Sequence, residues 1–329
     1  MTRYVLKRLA GAALVLLALS VLVYALFYVA PGDPARLACG ERCNPQQIAQ
    51  VRERLGLNES VVAQYLHFLQ GVFAGRDYST GTSVVHCDAP CLGLSYQNDQ
   101  QVTRLILERL PATASLALGA LVVWLVVGVG TGLLSALRRG GPTERVLTVL
   151  TLAATGTPVF ILGLLLLMVV CAYLQWLPFP SYVPLGEDPE QWAWNMLLPW
   201  LTLGFFESAK YARLTRSSTL ETLAEDHIRT FRAYGVGERT VVTRHALRGA
   251  IPPVVAVSAV DLGYVFGGAV LTESLFGIPG LGKTLLDGVR SIDLPVVVGV
   301  VMVMGVVVVL AGVVADLLYA AADRRVVLT

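Results

Sequence analysis

KYARLTRSSTLETLAEDHIRTFRAYGVGERTVVTRHALR, residues 210–248, is a polar stretch with eight Lys and Arg residues, set between two strongly apolar ones. A basic, helix-forming segment flanked in this way reads as a loop between membrane spans. Of the 329 residues, 55% are hydrophobic and only 15% charged. Six apolar runs stand out: Leu9–Val29, Ala112–Leu137, Val146–Leu174, Trp192–Phe206, Ile251–Leu271 and Leu294–Tyr319. A membrane-crossing helix needs about 20 mostly apolar residues. The fourth run is short and carries Pro199, so its helix is expected to continue past Glu207 into Ala212. The expectation is an all-α integral membrane protein with six transmembrane helices and a large extracytoplasmic loop after the first.

Three parts follow: a first helix over 1–30, an outer loop over 31–111, and a core of five spans over 112–329. Arg3, Lys7 and Arg8 give the N-terminus the look of a secretory signal. Its apolar part is longer than the roughly 7–15 residues of such a signal, and no small-x-small cleavage site follows, so it reads as a retained span. Basic residues collect on the cytoplasmic side of membrane proteins. With both termini inside, the inner segments hold 16 of the 25 Lys and Arg, eight of them in 210–248. The reverse orientation puts the most basic loop outside. A net charge of +2 explained by topology, without an aromatic–basic surface, gives no ground for nucleic acid as a partner.

In the outer loop, Asn44, Pro45 and Gln47 mark a helix start, with a stop at Gly56. A second helix is expected to start near Asn58 and end before Gly71, with Val61, Val62, Tyr65, Leu66, Leu69 and Phe73 at helical spacing. Residues 75–98 are turn-rich without a period. Cys39, Cys43, Cys87 and Cys91 are candidates for structural disulfides, since thiols outside a bacterial membrane usually oxidise. Four cysteines allow three pairings. The C-x3-C spacings also fit a zinc site with His86, or the thiols stay free.

Within the spans, Gly128 with Gly132 and Gly263 with Gly267 sit four apart, a spacing that lets helix backbones approach closely. Asp261 falls near the middle of a span. A carboxylate there is costly and faces the bundle interior or a water-filled path, so Asp261 is the translocation-path candidate, with a structural partner role as the plainer reading. Glu207 and Lys210 are three apart and suggest a local ion pair.

The basic segment itself has a Ser218-x2-Glu221 capping pattern, which predicts a helix from about Leu220 to Tyr234. Gly235 supplies a turn, and a second helix runs from about Glu238 to Arg248, ended by Gly249 and Pro252. Leu220, Leu223, Ala224, His227, Ile228 and Phe231 form one apolar stripe. A helix–glycine–helix knob of this kind presents a surface to a cytoplasmic partner.

Arg229-Thr230-Phe231-x3-Gly235-x9-His245-x-Leu247-Arg248 resembles the EAA loop of ATP-binding-cassette importer permeases. Its flanks resemble the version in the dipeptide/oligopeptide/nickel subfamily. Matching segments follow in the same order: Pro31-Gly32-Asp33-Pro34, Leu55-Gly56-Leu57, Gln64-Tyr65, Arg109-Leu110-Pro111-Ala112-Thr113, Arg213-Leu214-Thr215-Arg216-Ser217, Phe276-Gly277-Ile278-Pro279-Gly280-Leu281-Gly282 and Asp316-Leu317-Leu318-Tyr319-Ala320. Departures are Phe231, where the motif has a small residue, Arg324 in place of a proline, and 75–91, which looks like an insertion.

The resemblance implies a type I importer bundle in a bacterial inner membrane, with both termini cytoplasmic and a coupling loop over about 217–249. It implies as partners a homologous sister permease, two cytoplasmic ATPases, an external substrate-binding lipoprotein and membrane lipid. Arg229, Thr230, Phe231, Gly235, His245, Leu247 and Arg248 would carry ATPase docking. The chain itself would hold no cofactor, ATP and Mg being bound by the ATPases. The substrate class implied is di- or oligopeptides, with nickel complexes or glutathione as alternatives.

Gly277-Ile278-Pro279-Gly280-Leu281-Gly282-Lys283-Thr284 matches the phosphate-binding pattern G-x4-G-K-[ST]. It follows a membrane span rather than a sheet strand and falls on the outer side, away from ATP, so nucleotide binding is declined. No other catalytic constellation is present: there is no H-E-x-x-H and no nucleophile elbow, and the four histidines are scattered. A stand-alone ion-coupled transporter would call for inverted repeats or paired intramembrane charges. No clear repeat is visible, and Asp261 is the one ionisable residue well inside an expected span.

Overall fold

The computed structural model describes residues 2–29, 35–36, 44–54, 58–79 and 84–322. The chain divides into two compact units, one of residues 1–113 with 279–309, the other of 114–278 with 310–329.

In the first unit, α1 (Thr2–Val29) is followed by α2 (Pro45–Arg54) and α3 (Val61–Ala74). Asn44 caps α2 as expected: its Oδ1 accepts from the Gln47 N–H at 2.8 Å, and Gln47 Oε1 accepts from the Asn44 N–H at 3.0 Å. α3 departs from expectation at both ends. It starts after Ser60, whose Oγ accepts from the Ala63 N–H, and it runs through Gly71 to Ala74. Gly71 lies close to the Cys91 backbone: a Cβ there would sit 3.4 Å from the Cys91 carbonyl oxygen, a contact at the edge of the ordinary range. The helix stops at Gly75, whose φ of +78° suits glycine.

The segment read as irregular contains a hairpin. β1 (Arg76–Ser79) pairs antiparallel with β2 (Val84–Cys87), Asp77 lying opposite His86. Four residues per strand are too few for alternation to register in the sequence. Cys87 and Cys91 form a disulfide next to the hairpin. Cys39 and Cys43 lie outside the described residues. Among the described residues no cluster that could hold a metal is present: Cys87 and Cys91 are joined in the disulfide, and His86 pairs through Nδ1 with Asp77 at 2.5 Å and through Nε2 with Asp88 at 3.3 Å. The Asp77 carboxylate, through a hydrogen bond and its charge, raises the His86 pKa above the usual histidine value.

The core of this unit is Leu92, Val102, Ile106, Leu281, Val296, Val300 and Met304. It is contributed by the start of α4 (Val102–Leu137), by α12 (Leu281–Arg290) and by the first half of α13 (Leu294–Ala322). The buried Asp293 carboxylate accepts from the Ser95 hydroxyl at 2.5 Å and from the Tyr96 and Gln97 N–H groups at 3.2 and 3.4 Å. It thereby fixes the 95–98 turn of the outer loop against the start of α13.

The second unit holds the rest of α4, then α5 (Pro142–Gly156) and α6 (Val159–Leu166), the latter extended by π-helical turns over Leu167–Tyr173. The expected span Val146–Leu174 is therefore not one straight helix: α5 and α6 with its extension meet at 104°. Pro158 is the cause, since it drives the preceding Thr157 to an extended φ, ψ of −100°, 123°.

α7 (Pro189–Ala224) absorbs the fourth apolar run and continues well beyond Ala212. The expected helix start at Ser218 is not used. The Ser218 carbonyl instead accepts from Thr222 Oγ1 within α7, and the break comes at Glu225, with ψ 148°. After it come α8 (Asp226–Ala233), α9 (Glu238–Thr240), π-helical turns over Val241–Ala246, α10 (Leu247–Gly268) and α11 (Val270–Phe276). Nor do Gly249 and Pro252 end a short second helix. The path from Glu238 to Gly267 is continuous, with Gly249 pressed so close to Thr222 that a Cβ would meet its Cγ2 at 2.7 Å.

α4 packs on α7 through glycine. Added Cβ atoms at Gly128 and Gly132 would lie 2.5 Å from Tyr211 Cβ and from the Ala212 carbonyl oxygen respectively, which makes these two a true close approach. Gly263 is buried in α10.

Among the described residues, Val102–Leu137, Glu238–Gly267 and Leu294–Leu318 are long and apolar enough to cross a membrane, and the bent α5–α6 pair brings the number to four at most. α1 contributes an apolar stretch over Ala10–Ala25. The fold is mostly helical and multi-spanning.

Candidate functional site

α8 and the turn after it carry the signature residues. Gly235 adopts φ +78°. The Gly235 N–H donates to the Arg232 carbonyl at 3.0 Å and the Val236 N–H to the Phe231 carbonyl at 3.1 Å. These two bonds make a Schellman close, in which the residue after the helix is left-handed and the last carbonyls are satisfied. Arg232 then reaches across the turn to Glu238, with nitrogen–oxygen distances of 3.0 and 2.6 Å. The pair is solvent-exposed, so it fixes geometry more than it adds stability.

The inner face of the knob is apolar. Ile228 is fully buried, as are Val241 and Ala246 in the π-helical turns. Phe231, the departure at the third motif position, turns inward: its ring stacks on His245 with centroids 4.0 Å apart. The two ends of the signature therefore meet through their aromatic rings. Leu247 is half-buried, whereas Arg229, Thr230, Gly235 and Arg248 are exposed. Sequence reasoning missed Tyr234, an aromatic left 83% exposed at the tip. An aromatic beside a turn glycine in a basic loop was the available signal.

Asp261 has two polar side-chain partners on α7. Lys210 Nζ lies 2.7 and 2.6 Å from its two carboxylate oxygens, and the Tyr211 hydroxyl donates to it at 2.6 Å. The expected Glu207–Lys210 pair gives way to this contact, because a carboxylate buried in a span needs a counter-charge more than a half-buried one at its end. Tyr211 is itself fully buried and stacks on Trp124 at 5.9 Å. Lys210 keeps 47% of its side chain exposed, against 12% for Asp261. The cluster ties α7 to α10, the two helices that flank the knob in the chain. A second tie, Arg216 to Glu144, joins α7 to α5.

The phosphate-loop look-alike lacks the context, and two of its amides are already engaged. No strand precedes it. Within its second half, the Leu281 N–H donates to Thr113 Oγ1 at 2.8 Å and the Thr284 N–H to the Gly280 carbonyl at 3.0 Å. Such amides must point at a ligand to cradle phosphate. Lys283→Ala is therefore expected to leave nucleotide binding by the purified assembly unchanged. Loss of binding in a fluorescent-nucleotide titration would restore the rejected reading.

Two family models match the sequence. One, described as binding-protein-dependent transport system inner membrane component, covers residues 128–328. The other, described as the N-terminal part of such a membrane component, covers residues 1–117. A protein of Brucella abortus named as a peptide transport system permease is 36% identical over 326 residues, 99% of both chains. A "probable peptide ABC transporter permease protein" of Sinorhizobium fredii is 32% identical over 98% of both. A glutathione transport system permease protein of Salmonella typhi is 37% identical over 99% of both. Among solved structures, an amino acid ABC transporter matches 68% of this chain and 95% of that one, at 18% identity and a TM-score of 0.44.

Proposed function

The chain belongs to the family of binding-protein-dependent transport system inner membrane components, and from that premise we propose how it carries substrate. It is a multi-pass inner-membrane permease subunit of an ATP-binding-cassette importer. Its cargo is short peptides: relatives over the full length are named for peptides and for glutathione, itself a tripeptide. Six spans place both termini in the cytoplasm and residues 31–111 outside. A sister permease completes the path, an external binding lipoprotein delivers substrate, and two cytoplasmic ATPases supply the work.

The observation that carries this reading is the knob of α8, the Gly235 turn and α9. It is rigid inside through Ile228 and the Phe231–His245 stack, and its outer face presents Arg229, Thr230 and Tyr234. Such a knob suits a groove in an ATPase. Closure of the ATPase pair on ATP would move it as a lever, and α7 and α10 would pass the motion into the bundle. ATP can shift the permease only by the difference in its free energy of binding between the inward- and outward-facing states. This chain's part is path and lever, with hydrolysis in the partners. Asp261, with Lys210, borders the path.

Affinity purification of the tagged chain in mild detergent, with mass spectrometry of what stays bound, tests the proposal. Two ATPase copies, a sister permease and a lipoprotein are expected. The chain alone, or only copies of itself, would remove the docking role and put an ion-driven transporter in its place.

A further inference from the structure

α3 carries no Asp, Glu, Lys or Arg over its 14 residues, although it lies in a loop otherwise rich in charge. At about 1.5 Å per residue it is roughly 21 Å long, too short to cross a bilayer. Its residues divide into three faces. One is packed: the Tyr65 hydroxyl lies 2.7 Å from Ser20 Oγ, Tyr65 and Phe68 meet the Tyr24 ring at 5.4 and 6.0 Å, and Val72 joins the unit's core. A second is polar, with Gln64 and His67 half-buried, and the exposed Gln70 lies at its border with the third. The third is apolar and uncovered: Val62, Leu66 and Phe73 are 68, 59 and 82% exposed. Positions 62, 66 and 73 are four and seven apart and share one side of a helix.

Each end of α3 carries a cap. Ser60 Oγ takes the Ala63 N–H at the start. At the other end the Gly71 carbonyl accepts two N–H groups, from Gly75 at 3.0 Å and from Cys91 at 3.2 Å. Cys91 is held there by its disulfide to Cys87. In hydrocarbon every backbone polar group needs an internal partner, and the hairpin with its disulfide supplies one where the helix stops. The helix that α3 packs against, α1, likewise leaves Leu14, Leu17, Val21 and Leu22 uncovered, as a span facing lipid does. Tyr65 reaches α1 at Ser20, and Ser20 is well inside the apolar run Leu9–Val29 rather than at its end.

We infer that α3 is an interfacial membrane helix: its Val62–Leu66–Phe73 face inserts among lipid acyl chains beside α1, and the disulfide-closed hairpin seals its end. The leaflet, the outer one, rests on the orientation proposed above, whereas the lipid contact does not. The apolar face, polar face and short length are those of helices that lie in the plane of a membrane surface. A soluble partner is disfavoured because the face offers neither charge nor hydrogen-bonding groups to orient one. The paired strands β1 and β2 thereby gain a purpose: with the disulfide they hold the Cys91 N–H on the helix end rather than meeting substrate.

The test is photocrosslinking of the full assembly in native membranes, with benzoyl-phenylalanine placed at Leu66, Phe73 or His67 in separate variants. Peptides carrying position 66 or 73 are expected to gain the mass of one phospholipid, and the peptide carrying position 67 to gain none. Crosslinks from 66 or 73 to another protein would overturn the inference in favour of a docking face. Absence of lipid adducts at both positions would overturn it in favour of an aqueous helix, and equal lipid adducts at all three would deny that the helix has a polar side. These readouts do not depend on transport, so a failure here and a failure of the importer reading are separable.

Discussion

Gly235→Trp is expected to lower transport and substrate-stimulated ATP hydrolysis of the assembled importer by about tenfold or more, with membrane levels of the chain unchanged. At φ +78° an L-residue costs about 1–2 kcal/mol, and 1.4 kcal/mol is a factor of ten in an equilibrium. The strain falls on an exposed turn and leaves the apolar inner face untouched. Among the described residues, nothing beyond the two flanking ones lies within 4 Å of a Cβ built at Gly235, so the indole projects outward, toward whatever docks there. Gly235→Ala separates the two contributions: it brings the backbone strain without the bulk and is expected to fall between wild type and the tryptophan variant. Wild-type transport by Gly235→Trp would sink the docking role. Equal losses in both variants would assign the effect to the turn's conformation rather than to a partner surface.

How far the sequence could be read depended on the range of the interaction. Asn44 with Gln47, and Gly235 as a left-handed turn, were legible because each is settled within a few residues. Gly128 and Gly132 were legible as a pair, since a spacing of four on a helix carries the close approach, although not the identity of α7 as the neighbour. The Ser218 cap was misread for a tertiary reason. Thr215, Thr219 and Thr222 are buried along α7, which holds the chain helical past a local start signal. The same holds for Gly249 and Pro252, where close contact with Thr222 carries the helix on. Asp261 could be singled out as costly, but its partner could not. Lys210 is 51 positions away in sequence, and the nearer Glu207 drew the pairing. Phe231 looked like a defect in a docking motif until its stacking on His245 gave it an inward role.

Replacing Asp261 and Lys210 singly and together is expected to separate a structural tie from a path residue. Lys210→Met leaves a carboxylate that is only 12% exposed with Tyr211 as its remaining donor. An unpaired buried charge of this kind costs about 3–5 kcal/mol, and less where the group can neutralise. Asp261→Leu removes the acceptor of the buried Tyr211 hydroxyl, a loss of about 1–3 kcal/mol, while the half-exposed Lys210 can turn to water. Both single variants should therefore unfold earlier in a thermal melt of the solubilised complex, Lys210→Met more so. The double variant should recover most of the loss, because neither charge is then stranded; a double variant no more stable than the worse single one would show that the two do not act as a pair. Transport gives the second reading. With the pair bordering the path, as proposed, the double variant stays below wild type even where its stability returns. Full transport at restored stability would leave Asp261 and Lys210 as a tie between α7 and α10 and nothing more. That outcome would still matter for coupling, because these two helices leave the knob in opposite chain directions, and a charge pair between them obliges both arms of the lever to move together.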